Sequence, residues 1–240
     1  MYLSVIIPAY NEEERLPKTL AEIDKYLSGQ SFDYEILVVD NGSTDNTVGA
    51  VRMLEGKIRG LKLLQGSPGQ GKGFAVKLGM LEATGEYRIF TDADNSTPIS
   101  EVEKMWPEFK SGYGVVIGSR DIKGAILDPP QPFLRNFILG NGFKLFRKII
   151  IGFWGIEDTQ CGFKGFLGKA AQDIFPKIKT LDFAFDSEIL IMARLKGYKI
   201  KEIPIYWKND LLSKVKLKSM IKMAVDLIKI KLNLIRGLYD

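Results

Sequence analysis

Leu3-Ser4-Val5-Ile6-Ile7-Pro8-Ala9-Tyr10-Asn11-Glu12-Glu13 opens on an apolar run of strand length, breaks at polar residues, and passes into a helical pattern from about residue 13. An unbroken apolar run is the mark of a strand covered on both faces, as in parallel sheets. The same beat returns with a strand at 34–40 and a helix at 45–54, then a strand at 61–65 and a helix at 73–83. It continues with a strand at 87–91, a helix near 99–109 and a strand at 114–118. Such alternation predicts an α/β fold, a doubly wound and mostly parallel central sheet flanked by helices. Ligands in these folds sit beyond the carboxyl ends of the strands. The candidate site is therefore the set of polar stretches that follow the apolar runs: Tyr10-Asn11-Glu12, Asp40-Asn41, residues 66–73 and residues 92–95.

After Arg120 the rhythm gives way to a Pro/Gly-bearing loop at 123–132 and a helical stretch at 133–148 that carries Arg135, Lys144, Arg147 and Lys148. A strand at 161–167, a helix at 186–195 and a strand at 198–206 are predicted before the tail. With 240 residues and 45% hydrophobic content, the chain suits one globular unit plus a tail. The lone cysteine, Cys161, excludes an internal disulfide and multi-cysteine metal sites, and points to a reducing, cytoplasmic setting. There is no histidine, which excludes Ser-His-Asp and Cys-His catalysis and HExxH metalloproteases. Chemistry here must draw on carboxylates, Lys, Arg, hydroxyls, backbone amides or a hard metal. The start of the chain has no signal-peptide pattern, and residues 149–154, an apolar stretch, fall far short of the roughly 20 residues a bilayer span needs.

Asp92-Ala93-Asp94 leaves the end of the fourth strand with two carboxylates two residues apart. Hard oxygen donors of this kind suit Mg²⁺ or Mn²⁺ bridging a diphosphate, and an acidic turn that caps the next helix is the other reading. The run Gly66-Ser67-Pro68-Gly69-Gln70-Gly71-Lys72-Gly73 matches a P-loop until Gly73 stands where the magnesium-binding hydroxyl belongs, which argues against a nucleoside triphosphatase. It leaves a glycine-rich turn with Lys72 near phosphates, or a flexible connection.

Taken in order, Ser4 through Glu13, the turn Asp40-Asn41-Gly42-Ser43-Thr44-Asp45, and Asp92-Ala93-Asp94 resemble the inverting family-two GT-A glycosyltransferases. Five further motifs are similar to the dolichyl-phosphate glucosyltransferases within that group, and fewer are shared with the dolichyl-phosphate mannose synthases. They are Gly71-Lys72-Gly73-Phe74-Ala75-Val76, Gly118-Ser119-Arg120, Asp158-Thr159-Gln160-Cys161-Gly162-Phe163-Lys164, Phe183-Ala184-Phe185-Asp186-Ser187-Glu188 and Ser213-Lys214-Val215. The resemblance implies a GT-A catalytic domain over residues 1–212 and inverting transfer of a hexose from a nucleoside-diphosphate sugar, UDP-glucose first, to dolichyl or polyprenyl phosphate. GDP-mannose as donor, or a polysaccharide or soluble hydroxyl as acceptor, are the alternatives. It implies donor contacts from Pro8, Tyr10, Glu12, Asp40, Lys72 and Asp92, and a Mg²⁺ or Mn²⁺ ion on Asp94 with Asp92 beside it. Arg120 and Arg135 take positions suited to the acceptor phosphate. Where the family has two aspartates this chain reads Asp40-Asn41, so no charge is available at position 41.

Asp158 matches an acidic position that serves as general base in relatives with hydroxyl acceptors. A phosphate acceptor is already anionic near neutral pH, so Asp158 acts as a base or orients a substrate. Asp186 and Glu188, at the head of a helix, cap it or touch the sugar. Lys144, Arg147 and Lys148 form a phosphate site or a solvated helix face.

The net charge of +5 is concentrated at the end of the chain, where residues 208–240 hold eight Lys/Arg and three Asp. From Leu217, two apolar rows at helical spacing run beside Lys218, Lys222, Lys229 and Arg236, so residues 213–240 read as a basic amphipathic tail helix. An interfacial helix on anionic lipid is one reading; a helix docked on the protein's own core or on a second copy is the other. The body shows no basic face interleaved with aromatics, so no nucleic-acid partner is expected. The expected setting is peripheral, at a membrane surface.

Overall fold

The computed structural model describes residues 1–66, 68–130, 141–208 and 217–239. Ser67, Arg135, the first part of the expected 133–148 helix and the 213–215 motif lie outside them.

The strands and helices alternate as β1 (Leu3–Ala9), α1 (Leu16–Leu27), β2 (Tyr34–Asp40), α2 (Thr47–Glu55), β3 (Leu61–Gln65), α3 (Lys72–Glu82) and β4 (Tyr87–Phe90). Then come α4 (Trp106–Lys110), β5 (Val115–Ser119), β6 (Ile126–Asp128), α5 (Asn141–Ile151), β7 (Lys164–Leu167), α6 (Gly168–Ile174), α7 (Phe185–Leu195), β8 (Ile200–Pro204), β9 (Tyr206–Lys208) and α8 (Leu217–Ile235). The central sheet has the order β3-β2-β1-β4-β7-β5-β8, and β7 alone runs antiparallel to its neighbours. The helix expected over 99–109 is a 3-10 turn, Ile99–Lys104, followed by α4, whose first turn carries Pro107 and so needs no amide from it. The strand expected over 198–206 is divided: β8 ends at Pro204 beside β5, and β9 leaves to pair with β6 in a two-stranded sheet. Proline has no N–H for a ladder, which suits it to a strand's last position.

Alternation within the buried strands sorts side chains to two cores. Leu3, Val5 and Ile7 of β1 join Ile36 and Val38 of β2 under α1, while Ile6, Leu37, Val39 and Phe90 face α3, α6 and α7. Gly79 of α3 lets that helix lie flat on the sheet, since a Cβ there would stand 2.4 Å from Ile6 Cγ2. The register brings Ala9, Asp40 and Gln65 into one row. The sequence doubles back between β1 and β4, so the polar tips of β1, β2 and β4 converge at the point where strand order reverses.

Candidate active site

The tips of β1 and β2 are laced together. Asn11, at a φ of 56°, donates its amide to Ser43 Oγ (3.0 Å) and accepts the Thr44 amide on Oδ1 (2.8 Å). The Glu12 amide reaches Thr47 Oγ1 at 2.8 Å, and Glu13 Oε2 accepts the Asn46 amide at 2.7 Å. The two motifs distant in sequence are therefore one unit, each supplying the other's unpaired backbone groups. Asp40 is buried and accepts the amides of Gly42 (3.0 Å) and Ser43 on its carboxylate, holding the turn. Asn41 Oδ1 is buried without a partner among the described residues. Pro8 is half-buried on β1 and Tyr10 stands exposed beyond it.

Glu12 accepts Arg15 in a two-pronged ion pair at 2.7 and 2.6 Å. Its pKa is nevertheless raised, chiefly because burial disfavours the charge; Arg15 opposes that rise, and Asp94 and Asp92 add repulsion to it. Glu12, Asp92 and Asp94 thus gather negative potential at one rim. Asp94 Oδ1 accepts the Ser96 amide (2.9 Å), so the acidic turn does stabilise the local backbone. Among the described residues no group of three or more acidic or Cys side chains is close enough to enclose a metal ion. Two hard carboxylates at an open rim fit an ion that shares its shell with a diphosphate, the usual habit of Mg²⁺, and do not fit one caged by protein alone.

Lys72 is the first residue of α3, and its Nζ lies 2.5 Å from Asp92 Oδ1. Burial opposes its charge, but Asp92 and then Asp186 hold its pKa above the ordinary lysine value. The glycines beside it are required by space. A Cβ on Gly71, at a φ of 92°, would lie 2.4 Å from Leu181 O, and one on Gly73 2.8 Å from Phe185. At Gly71 and Gly73 the turn is closely packed. Asp92 also approaches Gly162 so closely that a Cβ there would fall 2.0 Å from Oδ2.

Arg120, just past the end of β5, pairs with Asp158. Nε donates to Oδ2 at 2.7 Å, Nη2 to Oδ1 at 3.0 Å, and the Arg120 amide to Oδ2 at 3.1 Å. The guanidinium also lies over the Trp207 ring, 4.8 Å from its centroid. Burial works against the Asp158 charge, yet Arg120 and then Lys164 drive its pKa far below the carboxylate range. Glu202 holds the same segment by accepting the amides of Glu157 and Asp158 at 2.8 and 2.9 Å.

The three α5 cations are each engaged. Lys144 pairs with Asp121 and Lys148 with Glu157, both at 2.7 Å. Arg147 is buried and donates to Thr159 Oγ1 (2.5 Å), Ile156 O (3.2 Å) and Glu157 O (3.0 Å). Arg147 and Lys148 fasten α5 to the Asp158 segment, and Lys144 ties it to Asp121 after β5. Asp186 and Glu188 make no cap for α7. Asp186 pairs with Lys164, which is fully buried, and Glu188 accepts the amides of Lys179 (3.1 Å) and Thr180 (2.7 Å) and the Tyr239 hydroxyl. Lys164 and Gly162 went unassigned in the sequence; a lysine between Phe163 and Phe166 in a strand was the available signal, since a buried cation needs a partner.

The mostly parallel sheet flanked by helices has counterparts among known proteins. Dolichyl-phosphate beta-glucosyltransferases of Trichomonas vaginalis and Dictyostelium discoideum are each 38% identical to this chain over its whole length, which covers 73% and 76% of theirs. That of Saccharomyces cerevisiae is 34% identical over the whole chain and 77% of its own length. Among solved structures, Mycobacterium tuberculosis glucosyl-3-phosphoglycerate synthase superposes with a TM-score of 0.67 at 18% identity, over 100% of this chain and 82% of that one. The same synthase is known in complex with Mn²⁺, UDP and phosphoglyceric acid. Residues 4–175 match the model of glycosyl transferase family 2, and it is to that family that the chain belongs.

Proposed function

We propose that this chain transfers glucose from UDP-glucose, with inversion, to the phosphate of dolichyl or another polyprenyl phosphate at a membrane surface. The relatives that are 34–38% identical over the full chain carry that activity in their names, which supports glucose and dolichyl phosphate over the alternatives. Pro8, Tyr10, Glu12, Asp40, Lys72 and Asp92 serve the donor, and Asp94 with Asp92 takes Mg²⁺ or Mn²⁺ together with the diphosphate. Bound there, the ion would supply positive charge against that developing on the leaving nucleotide. Lys72 adds a second cation on the diphosphate.

The observation that carries the choice of acceptor is the state of Asp158. A general base needs a free lone pair and a pKa near the working pH; Asp158 is clamped by Arg120 through both oxygens and strongly acidified. That suits a phosphate nucleophile, whose second ionisation lies near pH 6 and which attacks without giving up a proton. The acceptor oxygen forms its bond to the anomeric carbon as the bond to the diphosphate breaks on the opposite face, and the nucleotide leaves with the electron pair. Asp158 then aims the guanidinium: it occupies Nε and Nη2 of Arg120 and leaves Nη1 for the incoming phosphate, with Arg135 the second acceptor cation.

The test is incubation with radiolabelled UDP-glucose or GDP-mannose and a polyprenyl phosphate, with and without chelator, followed by organic extraction. Label should enter the organic phase from UDP-glucose alone and should vanish with chelator. Transfer from GDP-mannose, or to a soluble hydroxyl in the absence of lipid, would replace this reading by the corresponding alternative.

A further inference from the structure

Trp207, the middle residue of β9, has no part in the proposed chemistry, yet the Arg120 guanidinium lies over its ring with Cζ 4.8 Å from the centroid. The indole is partly buried against the core beneath β5 and β8. Its strand is fixed by several contacts. Leu127 of β6 is its ladder partner, and Tyr206 beside it gives its hydroxyl to Asp128 (2.8 Å) and its amide to Glu101 (3.1 Å). The Ile205 amide reaches the carbonyl of Ser119, the residue before Arg120, at 3.3 Å. On the other side of Trp207 in sequence, the Lys208 amide donates to the Ser96 carbonyl at 2.7 Å, and the Ser96 amide donates to Asp94 Oδ1 at 2.9 Å. One short strand therefore touches both the cation assigned to the acceptor and the turn assigned to the metal.

Asp158 grips Arg120 along the edge formed by Nε and Nη2, and the neighbouring Asp121 is itself paired with Lys144 at 2.7 Å. An incoming phosphate dianion competes with Asp158 for the same guanidinium, and a planar group held by one edge can still swing on its stem. An indole face attracts a guanidinium through the ring quadrupole and takes none of its N–H groups. It restrains the plane while leaving the donors to the phosphate.

We infer that Trp207 is a positioning residue for the acceptor: its ring fixes the plane of the Arg120 guanidinium, and β9 ties that plane to the Asp94 turn. This rests on assigning Arg120 to the acceptor phosphate. A tryptophan that only filled space beside the core would be replaceable by another apolar side chain, and its loss would lower stability without singling out one substrate.

The experiment is steady-state kinetics with polyprenyl phosphate on the wild type, Trp207→Phe, Trp207→Leu, Arg120→Lys and Trp207→Leu/Arg120→Lys, with UDP-glucose affinity in the presence of Mn²⁺ and a melting temperature for each. Trp207→Leu is expected to lower kcat/KM for the acceptor on the order of tenfold, within the range of a desolvated cation–π contact, with donor affinity at the wild-type value. Trp207→Phe keeps an aromatic face and should lose much less. The double variant should be little worse than the poorer single one, as for residues that act as a unit. If Trp207→Leu does not fold, a multiply fluorinated tryptophan at position 207 carries the test, since it keeps the shape and removes the negative potential of the ring face; the same loss is expected. Wild-type acceptor kcat/KM in Trp207→Leu or with the fluorinated ring, or equal losses in Trp207→Phe and Trp207→Leu that follow their melting temperatures, would overturn the positioning role and leave Arg120 on the acceptor. Unchanged acceptor kcat/KM in Arg120→Lys would overturn both.

Discussion

Asp158 decides between two chemistries through contacts, not through its presence in the sequence. A true general base contributes about 10² to 10⁴ in rate. Here Asp158 and Arg120 form one unit, so Asp158→Asn and Arg120→Lys are expected to lower kcat by similar factors, each about tenfold, and the double variant should be little worse than the poorer single one, as for residues that act together. A thousandfold loss confined to Asp158→Asn in steady-state kinetics would mark it as a base. Gly162→Ala tests the donor side. Its methyl would overlap Asp92 Oδ2, so the carboxylate must turn away. Donor KM is expected to rise about tenfold, a loss typical of one charge-assisted contact, with a far smaller change in kcat. Asp92, Asp94 and Lys72 were legible because each follows an apolar run at a strand's carboxyl end. Gly162 and Lys164 were not, since their roles depend on partners 70 and 22 residues away in sequence, Asp92 and Asp186.

Elements join through a few buried polar groups. Glu35, on β2, accepts Ser4 Oγ of β1 (2.7 Å), the Thr84 amide and hydroxyl (both 2.8 Å) and Lys62 of β3 (3.1 Å). Burial opposes its charge, but these donors, the Thr84 amide first, lower its pKa to about 2. A depressed carboxylate stabilises the fold above its unfolded pKa, and that contribution is lost as pH falls through the folded value. Glu35→Gln should therefore unfold at a lower temperature than the wild type at pH 7, with the difference shrinking between about pH 4.5 and pH 2, as followed by circular dichroism melts. The elements around Glu35 were the readable part of the chain, because β1 to β4 are mainly apolar runs separated by helical periods. The second half was harder. An antiparallel strand inserted between parallel ones, as β7 is, has the same apolar content as a parallel one, and β9 extends the apolar run of β8 while pairing elsewhere. Helix α6 follows β7 directly, with no polar turn to announce it.

At the scale of the molecule, α8 bears on both readings of the tail. Met223, Leu227 and Ile230 enter the core beside α5, and Tyr239 reaches Glu188 on α7, so one apolar row is docked on the protein itself. Of the other row, Ile228 and Leu232 are 43–44% exposed and Ile235 71%, and Val225 nearby and Leu145 and Ile149 of α5 are also exposed. The sequence showed an apolar arc too wide for one contact but not which row the core would take, since both have helical spacing. No helix of the described residues is long and apolar enough to cross a membrane. What remains is an apolar strip beside the exposed cations Lys231 and Arg236, with Lys222 and Lys229 paired to Asp182 and Asp226, a pattern that suits the surface of an anionic bilayer. Each such cation contributes about 1 kcal/mol near that surface, and salt screens the attraction within roughly 10 Å. The double substitution Ile228→Glu/Leu232→Glu places two anions in the strip without touching the docked row. It is expected to abolish co-sedimentation with phosphatidylserine vesicles while leaving the melting temperature and UDP-glucose affinity at wild-type values, because exposed substitutions shift stability by only about 0.5 kcal/mol. Transfer to polyprenyl phosphate in vesicles should fall with vesicle binding, whereas transfer to a short-chain, water-soluble acceptor phosphate should not. Vesicle binding that survives the substitution would move the membrane contact to another face of the protein.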